Sequence, residues 1–345
     1  MRKYWITSRG IPTWLSCPAR RSWTGTAKPT HKGKFLMALL LTPPVQGTIE
    51  QWRDAILQEI PDQEIRLWPD VGDPADILYV LIGRFDIASM PEMPNLRLAM
   101  PMFAGVDHLL AHPNMPAVPM VRVGPPEGDV AMTEYAVLHV LRHHRHMPEH
   151  LGQQRQKLWS VIPQKLPREQ RIGFMGFGMM AEPPARVLHG LGFDVAAWVR
   201  SDRQDADIEM FCGSEWLPDF LARTDILVCL LPLTAETEGI LNAETFAQMP
   251  EGAAIINLGR GAHLVDDDLI AALDSGQLAG ATLDTTKPEP LPVDSPLWLH
   301  EGVTIMPHTA RRVRPDDVGP QVAEAIRRDQ AGEPQLWAVD RSAGY

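Results

Sequence analysis

The chain has 345 residues, 45% of them hydrophobic and 22% charged, and carries a formal charge of −11. That length accommodates two hydrophobic cores, the composition is that of a globular protein, and no run approaches the roughly 18 apolar residues of a membrane span. The acidity excludes nucleic acid as a bulk partner, and an anionic substrate needs local cations to overcome the global field.

Residues 1–36 stand apart. They carry Arg2, Lys3, Arg9, Arg20, Arg21, Lys28, Lys32 and Lys34 and no acid; without these eight bases, 24 basic residues face 43 acidic ones. This is the composition of a transit peptide, but Gly10, Pro12, Pro18, Gly25, Pro29 and Gly33 would break the amphipathic helix such a peptide needs. We read 1–36 as a disordered leader or an upstream start, with the folded pattern opening at Met37. The three cysteines, Cys17, Cys212 and Cys229, have no CxxC spacing. No disulfide framework or metal site is expected, and a reducing cytoplasm is the default.

From Met37, "FLMALLL" reads as a strand. "TIEQWRDAILQEI" reads as a helix, with Thr48 as cap and Pro61 as stop. "ILYVLIG" and "LRLAMPMF" read as buried strands, and the prolines from Pro113 to Pro126 as a loop or hinge. "MTEYAVLHVLRHHRHM" predicts a long crossover helix with Ala136, Val137, Val140 and Leu141 on its apolar stripe. His139 with His143, and His146 with His150, have the i, i+4 spacing of some metal ligands. No acid or cysteine completes a set nearby, and a solvated or interdomain helix is the reading taken. Beyond Arg171, "IGFMG", "FDVAAWV", "DILVCLL", "AAIINLG", "GATLD" and "VTIMP" read as six strands, most of them separated by helices. Such alternation implies a parallel sheet covered on both faces, a doubly wound (Rossmann) dinucleotide-binding domain.

The first turn of that domain contains Gly176-x-Gly178-x-x-Ala181. Gly176 allows a tight turn and Gly178 lets the backbone approach a pyrophosphate. The helix start, with Met179 and Met180 in the loop before it, offers free N–H groups. At the end of the second strand, where an acid would take the ribose hydroxyls of NAD, stand Arg200, Ser201, Asp202 and Arg203. A guanidinium there suits the 2′-phosphate of NADP, so NADP(H) is preferred and NAD(H) possible; Asp202 is the residue able to reach a free ribose.

Three further motifs, "NLGRG", "EPLP" and "PHTA", follow in order. With the cofactor turn they resemble the D-isomer-specific 2-hydroxyacid dehydrogenases. Within these the likeness is to the glyoxylate/hydroxypyruvate reductase A group, which ends in a tail similar to Val339–Tyr345. The resemblance runs from about Met37 to the C-terminus. It implies a smaller flavodoxin-like α/β substrate domain (37–130 with 308–345) beside the dinucleotide domain (131–307). It implies that Arg260 holds a substrate carboxylate, Glu289 pairs with the catalytic histidine, and His308 protonates the carbonyl. It also implies that Asp284 lies near the nicotinamide amide, Leu231 and Pro232 lie along the cofactor, and Ala104, Gly105 and Val106 form a substrate-side loop. A homodimer using the helix at 132–146, and domain closure with hinges near 125–135 and 305–312, follow on the same ground. The substrate class implied is a small 2-keto acid such as glyoxylate or hydroxypyruvate.

Taken singly, Arg260 reads as a surface ion-pair partner, Glu289 as a solvated acid and His308 as a core histidine. Together behind a dinucleotide fold they read as a site. The chain leaves the family pattern at Leu81, Ile82, Gly83 and Arg84, at Asp129, Val130 and Ala131, at Thr285, Thr286 and Lys287, and at Arg311 and Arg312. Two other readings use the same fold: a dinucleotide-sensing regulator without turnover, and a dehydrogenase of a bulkier 2-hydroxy acid.

Overall fold

A computed structural model describes residues 37–341 apart from 104, 123, 125–129 and 312. The expected leader lies outside the described residues, as do Ala104, Asp129, Arg312 and the last four residues of the tail.

The chain first builds a four-stranded parallel sheet. Strand β1 (Ala38–Leu41) leads through helix α1 (Ile49–Glu59) to β2 (Glu64–Leu67), then β3 (Ile77–Ile82) and β4 (Leu98–Pro101), in the order β2-β1-β3-β4. Thr48 caps α1 as expected: its hydroxyl accepts the Gln51 N–H, and the Gln51 side chain answers on the Thr48 N–H. All four residues of β1, and Leu81 and Ile82 of β3, are wholly buried, each large apolar side chain contributing roughly 1.5–3 kcal/mol. Leu81 and Ile82, where the chain leaves the family pattern, are therefore core residues. A short helix α2 (Asp107–Leu110) follows β4.

Helix α3 (Val130–His144) then crosses to the second layer, where α4 (Met147–Arg155) continues from it. The predicted stripe is present: Ala136 and Val140 are buried, and Val137 and Leu141 pack against the same core. Val130 is 66% exposed at the helix start. The second sheet has seven parallel strands, one more than the sequence predicts. They are joined in chain order as β5 (Arg171–Met175), α5 (Glu182–Gly190), β6 (Asp194–Val199), β7 (Glu209–Cys212), α6 (Leu217–Ala222), β8 (Ile226–Cys229), α7 (Ala243–Gln248), β9 (Ala253–Asn257), α8 (Asp266–Asp274), β10 (Leu278–Leu283) and β11 (Val303–Ile305). The order β11-β10-β9-β8-β5-β6-β7 reverses direction between β5 and β8, the switch point at which such sheets bind ligands beyond their carboxyl ends.

The chain returns to the first layer as α9 (Pro315–Ala331), which lies on α1 so closely that a Cβ on Gly319 would sit 2.6 Å from the Ala55 carbonyl oxygen. Val318, Val322, Ala325 and Ile326 complete the core formed by Leu39, Leu41, Trp52 and Ile56. None of the described helices is long and apolar enough to cross a membrane.

Candidate active site

Every expected site residue of the second layer lies at or beyond the carboxyl end of a strand: Gly176 after β5, Arg200 after β6, Leu231 and Pro232 after β8, Arg260 after β9, Asp284 and Glu289 after β10, His308 after β11. Gly176 has φ +92°, and a Cβ there would stand 3.1 Å from the Leu230 carbonyl oxygen, so glycine is needed both for the turn and for its contact with the β8 loop. A Cβ on Gly178 would meet nothing within 4 Å, leaving open space over the loop. That is the cradle a pyrophosphate requires. Ala181 is buried where α5 meets the sheet; Met180 packs on that core and Met179 is 39% exposed. Arg200 and Ser201 are exposed. Arg203 turns back over the glycine loop, its guanidinium 4.6 Å from the Phe177 ring and 2.9 Å from Glu182.

The Arg260 turn is made from its neighbours. Asn257, wholly buried, accepts the Gly259 N–H at 3.1 Å and donates to the Arg260 carbonyl at 2.9 Å. A Cβ on Gly261 would overlap the Thr286 main chain at 2.0 Å, so glycine brings the Arg260 loop against the loop carrying Glu289. The buried imidazole of His263 accepts the Arg260 N–H on Nδ1 at 3.0 Å; the proton is thereby placed on Nε2, which faces the Pro232 carbonyl at 3.3 Å. Burial holds His263 below its ordinary pKa, in the neutral form this arrangement needs. His263 thus joins the Arg260 loop to the loop expected along the cofactor.

The guanidinium itself reaches the first layer. Nε donates to Asp107 Oδ1 at 3.0 Å and Nη1 to the Gly259 carbonyl at 2.9 Å. Gly105 lies against it so tightly that an added Cβ would fall 1.0 Å from Nη2. The expected substrate-side loop and Arg260 therefore meet. Val106 starts α2 with its side chain in the core, and Ala104 lies outside the described residues.

Glu289 Oε2 lies 2.9 Å from His308 Nδ1, while Oε1 accepts the Thr286 N–H at 3.2 Å. The side chains are 40% and 48% exposed, so the pair opens to the cleft. The hydrogen bond that His308 Nδ1 donates to Glu289 lifts the imidazole above its ordinary pKa, against a smaller opposing effect of burial. On Glu289 burial pushes upward, but the bond to His308 leads a set of effects that holds the carboxyl below its ordinary range. Both shifts favour an ionised carboxylate on Nδ1 and a protonated ring, the form in which Nε2 can donate. Asp284 is 1% exposed, and its carboxylate accepts from Tyr135 Oη at 2.7 Å, Thr309 N at 2.8 Å and Ala310 N at 3.1 Å. About three of the roughly four acceptor positions on a carboxylate are thereby filled.

Sequence reasoning missed Asp107, Tyr135 and His263. Asp107 and Tyr135 carry no local signal, because their partners stand 153 and 149 residues away. The histidines of α3 and α4 do not assemble: His143 of α3 meets Thr282 Oγ1 at 3.0 Å, His146 before α4 meets Glu149 at 3.4 Å and His150 of α4 meets Gln153 at 3.0 Å. Among the described residues no group of three His, Cys, Asp or Glu side chains is placed to hold a metal ion. Of the other departures from the family pattern, Thr285 is buried, Lys287 pairs with Glu238 at 2.8 Å, and Arg311 donates to the Gly124 carbonyl at 3.1 Å.

A doubly wound sheet with an open glycine turn at its switch point defines a dinucleotide-binding α/β protein. The sequence pattern of the D-isomer specific 2-hydroxyacid dehydrogenase NAD binding domain matches residues 137–310. Glyoxylate/hydroxypyruvate reductase A of Salmonella newport (strain SL254) is 37% identical over 302 residues, covering 85% of this chain and 96% of its own. Among solved structures, a D-isomer specific 2-hydroxyacid dehydrogenase of Xanthobacter autotrophicus Py2, in complex with NADPH and MES, superimposes with TM-score 0.85 at 38% identity. The match covers 89% of this chain and 99% of that one. The NADPH-dependent glyoxylate/hydroxypyruvate reductase of Sinorhizobium meliloti, in complex with NADP and sulfate, gives 0.82 at 31% identity, covering 90% and 100%. The chain belongs to the D-isomer specific 2-hydroxyacid dehydrogenase family.

Proposed function

We propose that this protein is an NADPH-dependent reductase of small 2-keto acids, of the glyoxylate and hydroxypyruvate kind, yielding D-2-hydroxy acids. The observation that carries the reading is the His308–Glu289 pair at 2.9 Å, set beside an arginine that both layers hold in place. The relatives that bind NADPH or are named for glyoxylate and hydroxypyruvate support it.

In this reading Gly176, Gly178, Met179 and Met180 line the pyrophosphate, Arg200, Ser201 and Arg203 take the adenosine 2′-phosphate, and Leu231 and Pro232 flank the ring end. NADPH, when bound, supplies the hydride. Arg260, with Nε and one Nη1 hydrogen already engaged, has its remaining N–H groups for the substrate carboxylate and carbonyl oxygen. Gly105, which lies against the guanidinium, and Val106 after it bring main-chain N–H groups to the same anion. His308 donates its Nε2 proton to the carbonyl oxygen as charge develops there, while Glu289 stabilises the imidazolium and fixes the ring. Asp284 holds the loop behind His308 and keeps one acceptor toward the carboxamide. Residues 37–130 with 308–345 form the substrate domain and 131–307 the cofactor domain, in a protein of the cytoplasm.

The test follows absorbance of NADPH and of NADH across a panel of 2-keto acids that includes bulky ones. Turnover of glyoxylate or hydroxypyruvate with NADPH is expected, and Arg200→Ala is expected to raise KM for NADPH about tenfold with little change for NADH, the worth of one charge-assisted bond. Tight NADPH binding without turnover on any keto acid would identify a sensor instead, and turnover of bulky acids alone would identify the other dehydrogenase.

The protein also pairs with a second copy through α3, α4 and the segment behind them. Leu138 (59% exposed), Leu151 (37%), Leu158 (54%), Trp159 (98%) and Val161 (84%) support this, since a soluble monomer rarely leaves so much apolar surface uncovered along one stretch of chain. Light scattering after size exclusion is expected to give twice the chain mass, and Trp159→Glu to give a monomer. A monomeric wild type would overturn the pairing.

A further inference from the structure

Asp284 binds more than a ligand would need. Its side chain takes the N–H groups of Thr309 and Ala310, and its carbonyl oxygen takes the His308 N–H at 2.8 Å. One residue at the end of β10 therefore fixes three successive N–H groups of the loop that carries His308. The loop needs this, because His308 has φ +50°. For a side chain other than glycine the left-handed conformation costs about 1–2 kcal/mol and persists only where the surroundings over-determine it.

The carboxylate is in turn held from the other side. Tyr135, in the second turn of α3, donates to its Oδ1 at 2.7 Å, and the same hydroxyl meets the Thr309 side chain. The Tyr135 ring is backed by His139, 3% exposed, with ring centroids 4.5 Å apart. The two passages of the chain between the layers, one ending in α3 and the other starting at His308, are thereby tied to one carboxylate.

We propose that Tyr135 is a positioning residue for His308, acting through Asp284. Its hydroxyl orients the carboxylate, the carboxylate orients the 308–310 backbone, and the backbone sets the line along which Nε2 meets the carbonyl oxygen. Tyr135 need not touch substrate or cofactor for this. The inference rests on reading His308 as the general acid.

The test is a double-mutant cycle of Tyr135→Phe and Asp284→Asn, assayed with NADPH and glyoxylate, or with whichever keto acid of the panel the wild type reduces fastest. Tyr135→Phe is expected to lower kcat about tenfold, a coupling of the size found between residues in one hydrogen-bonded network. KM for the keto acid, and the NADPH Kd read by fluorescence, are expected to stay within about twofold, since geometry at His308 affects the chemical step and not binding. In the Asp284→Asn background the same substitution is expected to cost no more than about twofold, because the group through which it acts has been altered. An unchanged kcat, a loss confined to KM or Kd, or the same tenfold loss in both backgrounds overturns the proposal. A wild type inactive on every keto acid overturns instead the function on which it rests.

Discussion

Replacing His308 with glutamine is expected to lower kcat for keto-acid reduction by about 10²–10⁴-fold, the usual worth of a positioned general acid. Glutamine keeps a polar group of similar size but has no proton to give. The NADPH Kd should stay close to wild type, because the Nδ1 side of the ring faces Glu289 and the Asp284 bonds use the main chain. The pH profile carries a second, signed expectation. His308 must be protonated to act, and its pKa is raised above the ordinary 6.5 by the Glu289 bond. Activity should therefore fall on the alkaline side, with a midpoint above 6.5. Glu289→Gln removes the cause, so the midpoint should move down and the plateau should shrink. A profile whose alkaline limb does not respond to Glu289→Gln would separate the two residues and sink the pair as a unit.

Arg260→Lys is expected to lower kcat/KM for the keto acid by about 10²-fold, with the NADPH Kd unchanged. The charge is conserved, so the loss measures geometry. The guanidinium spends Nε on Asp107 and one Nη1 hydrogen on the Gly259 carbonyl, and still presents a planar edge. A lysine ammonium has three donors on a flexible stem and cannot serve Asp107 and a carboxylate in one plane. Losing one charge-assisted bond to the substrate costs about 1.5–3 kcal/mol, and the carbonyl loses its polarising partner as well. A fall of less than about threefold would remove Arg260 from the chemistry. The acidity of the chain makes this arginine more consequential, since it must hold an anion against a formal charge of −11.

The sequence made the buried parts of the fold legible and left the half-exposed parts unread. Strands β1, β8 and β9 are wholly buried and appear as uninterrupted apolar runs. Strand β7 lies at the edge, and its residues Glu209–Cys212 are partly exposed; β2, at the edge of the other sheet, reads Glu-Ile-Arg-Leu. β7 offers only the short run Met-Phe-Cys and β2 only an alternation, too little for either to be read as a strand. Helix α9 was missed because Gly319 and Pro320 interrupt its pattern, although the glycine is what admits α1 to close contact. Within the site, the residues set in motifs were found, and those defined only by a partner across the fold were not. Asp107 is a single acid in a short helix until Arg260 arrives from the other layer. Leu81 shows the opposite case: a position that differs from the family pattern is a wholly buried core residue of β3.

The return of α9 onto α1 also bears on how the molecule is made. The core under β1 and β3 includes Val318, Val322 and Ile326, and Tyr79 of β3 donates its hydroxyl to Asp329 at 2.7 Å. A nascent chain that has reached β4 thus has its first sheet without the helix that seals one face of it. The second layer, by contrast, draws its strands from one continuous stretch between Arg171 and Ile305 and can close while synthesis continues. The first layer to emerge from the ribosome is therefore the last to be finished. Its apolar face stays uncovered until α9 is made, and removing the α9 segment should be felt as aggregation of the N-terminal sheet before it is felt as lost cofactor binding.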